Sequence, residues 1–182
     1  MRARRCVGVA FFGCMMLTAC AQPGALPPPG AGHSSKNLPM TPLPATATAT
    51  ATANISAITW ERDCSGCATG TRLELHRDGR AVATVTGKAR LRTADTVSRA
   101  GLPAAEFEAL ARQLLSNGFF EMADIYEEAG VQDGSWATLT VVRDGVARQV
   151  FRREDAGPAA LKAVEAAVAA LQARLAFVPD AR

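Results

Sequence analysis

No acidic residue precedes Glu61, histidine occurs only twice, and past Cys20 only two cysteines remain, Cys64 and Cys67. Each shortage narrows what the chain can do. His33 lies in a proline-rich stretch, which leaves His76 as the one histidine of the remaining sequence, and nothing nominates a general base. The patterns G-x-S-x-G, H-E-x-x-H, G-x-x-x-x-G-K-[ST] and G-x-G-x-x-G are all missing. The sequence therefore shows no nucleophile elbow, zinc-protease helix, P-loop or dinucleotide fingerprint. Beyond the first 20 residues no apolar run approaches the roughly 20 residues that span a bilayer.

What is present begins at the N-terminus. Arg2, Arg4 and Arg5 precede an apolar run from Cys6 to Ala19, which ends in Leu17-Thr18-Ala19-Cys20. A basic n-region ahead of a short apolar h-region has the layout of a secretory signal. Its ending resembles the bacterial lipobox, in which the cysteine receives lipid and becomes the new N-terminus. Residues 1–19 are thus expected to be a lipoprotein signal peptide and Cys20 the lipidation site; the competing reading is an ordinary signal cut near Ala19 or Ala21. Removing the three signal arginines leaves 17 basic residues against 17 acidic ones. A neutral mature chain gives no reason to expect a nucleic acid partner. The expected partner is the membrane, through lipid on Cys20, with an unknown envelope protein or polymer as a further partner. Ala21, in place of the aspartate associated with inner-membrane retention, points to the outer membrane, facing the periplasm.

Residues 20–54 read as the lipidated cysteine and a tether. Seven of the ten prolines fall here, followed by the Ala-Thr alternation from Ala45 to Ala53. Such a segment cannot bury enough surface to offset its ordering entropy. As a flexible coil it would reach roughly 30 Å, and as extended polyproline roughly 100 Å.

Residues 55–178 read as a single α+β domain. Ile55–Arg62 has strand character, and Thr71–Arg77 and Arg80–Thr86 flank the turn Asp78-Gly79. Lys88–Val97 is expected to add a strand. Pro103 suits a helix start, with Phe107, Leu110, Ala111, Leu114 and Leu115 as its apolar stripe and Gly118 as its stop. Trp136–Arg143 and Val146–Arg153 flank a second turn, Asp144-Gly145. A last helix starts near Pro158 and repeats Leu161, Val164, Val168, Leu171 and Leu175 at steps of three and four. The expected architecture is an antiparallel sheet of about 4–6 strands built from two Asp-Gly hairpins, with two helices on one face. Thr71–Ala81 aligns without gaps on Ala137–Ala147, with Leu73/Leu139, Arg77/Arg143, Asp78/Asp144 and Gly79/Gly145 coinciding. A duplicated hairpin–helix unit and shared turn chemistry both account for this.

Cys64-Ser65-Gly66-Cys67 is the first candidate for chemistry. In an oxidising compartment a local disulfide is the favoured reading. Redox activity competes, helped by flanking Arg62 and Arg72, but a strand pattern follows the pair where a thiolate-stabilising helix would be needed. Zinc competes as well, although four ligands are usual and only His76 is at hand. No cofactor is expected. Lys88, Arg90 and Arg92 lie at period two, so a strand would present all three on one face, either to an anionic partner or to blunt a sheet edge. Glu121, Asp124, Glu127, Glu128 and Asp133 read as a solvated connection, since their spacing does not fit a calcium loop. An enzyme with an unrecognised site would draw on Tyr126, Asp133 and His76.

Residues 57–171 resemble a bacterial domain-of-unknown-function family, number 6438, common in lipoproteins. The likeness rests on the cysteine pair with a glycine between, the hairpin from Leu73 to Val85 and the helix ending near Phe119-Phe120. It continues through Asp124-Ile-Tyr126, Asp133, the second hairpin and the helix introduced by Pro158. The family pattern is closer to C-x-G-x-C-P; this chain has Cys64-Ser-Gly66-Cys67-Ala68, one residue shorter and without the proline. The resemblance implies a fold and no established activity. Together these readings describe a non-enzymatic membrane-anchored envelope lipoprotein presenting an interaction or structural domain, with a periplasmic thiol-redox or metal protein as the alternative.

Overall fold

A computed structural model describes Thr52, residues 54–131 and residues 133–181. The expected signal peptide, Cys20 and nearly all of the tether lie outside the described residues. Within them, alternating apolar and polar residues build the strands β1 (Ile55–Cys64), β2 (Gly70–His76), β3 (Arg80–Thr86), β4 (Thr96–Gly101), β6 (Ser135–Arg143) and β7 (Val146–Arg153). Two further strands of two residues each, β5 (Ile125–Tyr126) and β8 (Val178–Pro179), complete a sheet in the order β5-β7-β6-β1-β2-β3-β4-β8. The fold is α+β as expected, but the sheet has eight strands, not 4–6, and is mixed because β5 runs parallel to β7. The extra pair escapes sequence reading because two-residue strands carry no periodicity.

Period-two geometry sorts β1 into two faces. Ile58 and Trp60 are buried, and register carries that face outward through Leu73 and Leu75 on β2 and Leu139 and Val141 on β6. Thr59 and Glu61 point the other way, beside Glu74 and Arg72 on β2 and Thr140 and Thr138 on β6. Helix α1 (Ala104–Ser116) places Phe107, Leu110, Ala111 and Leu114 in the core, and α2 (Ala159–Arg174) adds Leu161, Val164, Val168 and Leu171. These side chains and the Ile58/Trp60 face form one cluster, so both helices cover the same face of the sheet. Pro103 and Pro158 stand at the helix N-caps in extended conformation, and Gly118, at φ 64°, follows α1. Leu115 and Leu175 only flank the core.

The two Asp-Gly turns differ. Asp144 and Gly145 both have positive φ, 54° and 77°, in a two-residue loop between Arg143 and Val146, the combination of a type I′ hairpin. In the first hairpin three residues, Arg77 to Gly79, separate β2 from β3, and Gly79 at 94° is the only one with positive φ. That one-residue difference shifts the register, so Ala81 is buried while its aligned counterpart Ala147 is exposed. Topology agrees. β2 and β6 both run antiparallel to β1, yet β3 and β7 extend from them in opposite directions across the sheet. The two hairpins therefore lie on opposite sides of β1, with Leu73 and Leu139 on the same face.

The expected strand over Lys88–Val97 is a correction. Ala89–Leu91 forms a 3-10 turn, Arg92 has φ 53°, and β4 begins only at Thr96. Side chains hold the loop: Lys88 N–H donates to Thr93 Oγ1 at 2.7 Å and Gly87 N–H to Asp95 Oδ1 at 2.9 Å. Such bonds give the backbone an alternative to the ladder. A Cβ on Gly87 would overlap the Thr93 carbonyl, so the loop closes only over glycine.

Ordered contacts reach past both expected ends of the domain. Arg77 donates to the carbonyls of Ile55 and Thr52 and to the Glu108 carboxylate on α1, and Thr52 itself is buried. At the other end Asp180 N–H donates to the Val97 carbonyl at 2.9 Å. A chain beginning at Ile55 is therefore expected to melt earlier than one beginning at Thr41, by the worth of one charge-assisted hydrogen bond, about 1.5–3 kcal/mol; urea unfolding of the two checks this. Leu139→Ala, in the centre of the core face, should cost about 2–5 kcal/mol, read from the same denaturation curves.

Candidate functional site

The disulfide end of the sheet holds a cleft. β1 ends at Cys64, the chain turns through Ser65-Gly66, and Cys67 returns toward β2 with its N–H on the Cys64 carbonyl at 3.3 Å. Cys64 and Cys67 are joined as a disulfide, with Cα atoms 5.2 Å apart. Two further contacts fix the loop: Ser65 N–H donates to the Gly134 carbonyl at 3.1 Å, and the Arg90 guanidinium donates to the Cys67 carbonyl at 2.9 Å. The half-buried disulfide forms one wall of a cleft of about 380 Å³ shared with Arg62, Thr69, Thr71, Trp136, Ala137 and Arg152.

One cross-strand row makes the cleft floor. Arg62 on β1 faces Ala137 on β6, which faces Arg152 on β7. This row lies one step beyond Trp60–Leu139–Val150 on the helix-bearing face. Ala137, itself buried, separates two arginines in very different states. Arg152 is mostly buried, and Glu165 of α2, only 5% exposed, accepts from its Nε at 2.8 and 2.9 Å. Hydrogen bonding to Glu165 raises the Arg152 pKa against the opposing effect of burial. Its charge is thereby neutralised. Arg62 is exposed and lies over the Trp60 ring, 4.1 Å from guanidinium carbon to ring centroid, with no carboxylate in ion-pair distance among the described residues. The Trp60 indole N–H, buried beneath, meets no acceptor among the described residues.

The opposite face of β1 carries Asp63, mostly buried and paired with the Lys88 ammonium. Burial pushes its pKa up, but the Lys88 hydrogen bond and the Cys64 N–H at 2.7 Å outweigh that and hold it below the ordinary aspartate value. Lys88, Arg90 and Arg92 do not share a strand face: Lys88 is spent on Asp63, Arg90 braces the disulfide loop, and Arg92 occupies a left-handed turn position. Nor are Tyr126, Asp133 and His76 gathered. Tyr126 sits on β5 with its hydroxyl accepting from Ala123 N–H, while His76 lies four strands away, beside Glu74, at the end of β2 remote from the disulfide. Asp133 is in the exposed loop before β6. Of the acidic segment, Asp124 pairs with Arg148 and Glu127 with Arg153, so β7 arginines take up part of that charge. Among the described residues no three His, Cys, Asp or Glu side chains converge, and no helix is long and apolar enough to cross a membrane.

Sequence reasoning missed the Arg62–Ala137–Arg152 row and its Glu165 support. A signal existed for Glu165, which sits between Val164 and Val168 on a helix whose stripe is otherwise apolar. None existed for the row, because its three members are separated by 15 and by 75 positions and meet only through strand register. Comparison with protein-family models and with curated proteins returned no match.

Asp63 yields a pH prediction. Its folded pKa is depressed, so the stability it contributes is present above the unfolded value of about 4 and is lost as pH falls through the lower folded value. Between neutral pH and that acid window, Asp63→Asn should therefore show a shallower fall of the urea midpoint than the wild type. Parallel curves would assign the acid sensitivity elsewhere.

Proposed function

We propose that this chain is a lipid-anchored envelope lipoprotein, held through Cys20 in the outer membrane on the periplasmic side, whose α+β domain is a non-enzymatic module that binds a partner in the envelope. The observation that carries the reading is Leu17-Thr18-Ala19-Cys20 behind a basic n-region, followed by a proline-rich tether. A bridged Cys64–Cys67 pair suits the oxidising compartment that such a signal implies. The cleft beside that bridge is the place on the domain where a partner group would seat. Likeness to the lipoprotein family numbered 6438 belongs to the same proposal and adds no activity to it.

One observation favours a second reading: the disulfide is half-buried in a cleft wall, within reach of an attacking thiolate. Against it, Cys64 closes a strand and β2 follows, so the pair sits between strands instead of at a helix N-terminus, where thiolate is stabilised.

Cys20→Ala should move the protein from the membrane fraction to the soluble fraction; continued anchoring would remove the lipoprotein reading. Cys64→Ser with Cys67→Ser should lower stability by at most about 2 kcal/mol, the chain-entropy value for so short a loop. The reduction potential of the pair should lie near or below about −300 mV, as for structural bridges. A value between about −120 and −180 mV would promote the thiol-redox reading instead.

A further inference from the structure

We infer that the cleft beside the Cys64–Cys67 bridge binds a short peptide ending in a free carboxylate, and that Arg62 is the residue that pairs with that carboxylate. The inference deepens the binding-module reading and rests on it.

Charge accounting points to Arg62. The other ionised groups at the cleft are engaged: Arg152 by Glu165, Asp63 by Lys88 across the sheet, and the Glu154 carboxylate by the N–H and hydroxyl of Ser135. Glu61 and Glu74, the remaining carboxylates near this end of β1 and β2, are joined to Arg72 on the opposite face. Arg62 alone faces the cleft with its charge uncompensated among the described residues. Its guanidinium is laid against the Trp60 indole, which restrains it without using its N–H edge. A planar fork held this way is suited to a carboxylate taken in two parallel hydrogen bonds.

The rest of the cleft sets the ligand's size and class. Strand spacing puts the backbones of Arg62 and Arg152 roughly 10 Å apart across Ala137, and a volume of about 380 Å³ suits a ligand of a few residues. The half-buried bridge offers a small apolar contact, while Thr69 and Thr71 supply hydroxyls for the amide groups that precede a C-terminus. The neutral Arg152–Glu165 pair bounds the far side and repels neither end of such a ligand.

The chain carries its own reporters, since its two tryptophans are Trp60, under Arg62, and Trp136, in the cleft wall. Tryptophan fluorescence of the full-length chain in detergent is titrated with N-acetyl-alanyl-alanine and, separately, with its C-terminal amide. The free acid should give a saturable change and the amide none. Arg62→Gln, at an exposed site and checked for native circular dichroism, should weaken the acid roughly ten- to a hundredfold, the worth of a charge-assisted hydrogen bond. Arg62→Lys should fall between wild type and Arg62→Gln. Equal affinity for acid and amide, or an unchanged affinity in Arg62→Gln, would overturn the carboxylate assignment while leaving the cleft as a binding site. No saturable change with either peptide would overturn the inference and the cleft as ligand site together, and the Cys20→Ala fractionation judges the anchoring reading independently.

Discussion

β1 is the strand on which the rest of the domain depends. It pairs along its length with β2 on one side and β6 on the other, so within the sheet the two hairpins are joined through it. Trp60 sits in the middle of the row that carries Leu73 and Leu139, and both helices close over that row. The pairing with β6 joins residues such as Trp60 and Leu139 that are far apart in sequence. The loop closure it requires is compensated only when the whole hydrophobic face is assembled. The strand therefore acts as spine and alignment device at once. Its register decides which residues of each hairpin meet the core.

The same strand delivers the candidate site. Toward its last residues, Arg62 to Cys64, the cross-strand row changes from large apolar side chains to Arg62, Ala137 and Arg152. The disulfide loop curls over this end and is braced by Arg90, while Lys88 locks Asp63 on the opposite face. Both locks come from the loop between β3 and β4, which sequence periodicity reads as a strand. The arginines there serve to shape the cleft, not to present a basic stripe.

Charged groups in this domain fall into two kinds. Arg77 ties the start of the fold to α1 through Ile55, Thr52 and Glu108, and Arg152 ties β7 to α2 through Glu165. Each is a many-partnered cation at a junction of elements, and for the mostly buried Arg152–Glu165 pair removing one partner would strand the other in a poorly solvated place. Arg62 is of the other kind, held by an aromatic ring and left with its hydrogen-bonding edge open. Arg143, 3.6 Å over the Phe120 ring, is of the same kind, but it does not line the cleft.

Local features were legible in the sequence because their causes are local. The helix stripes, the prolines that open both helices, Gly118 after α1 and both Asp-Gly turns follow from periodicity and backbone preference within a few residues. Cys64 and Cys67 are close enough in sequence that their pairing needs no long-range information. Tertiary structure decided what those rules cannot reach. Strand order placed β1 between the two hairpins, one on each side of it. Two-residue strands at both edges formed only because β7 and β4 offered them partners. Side-chain bonds from Thr93 and Asp95 overrode the strand period after Gly87. Arg62, Ala137 and Arg152 became neighbours through register alone, because hydrogen-bonded strands bring together residues that no spacing rule connects.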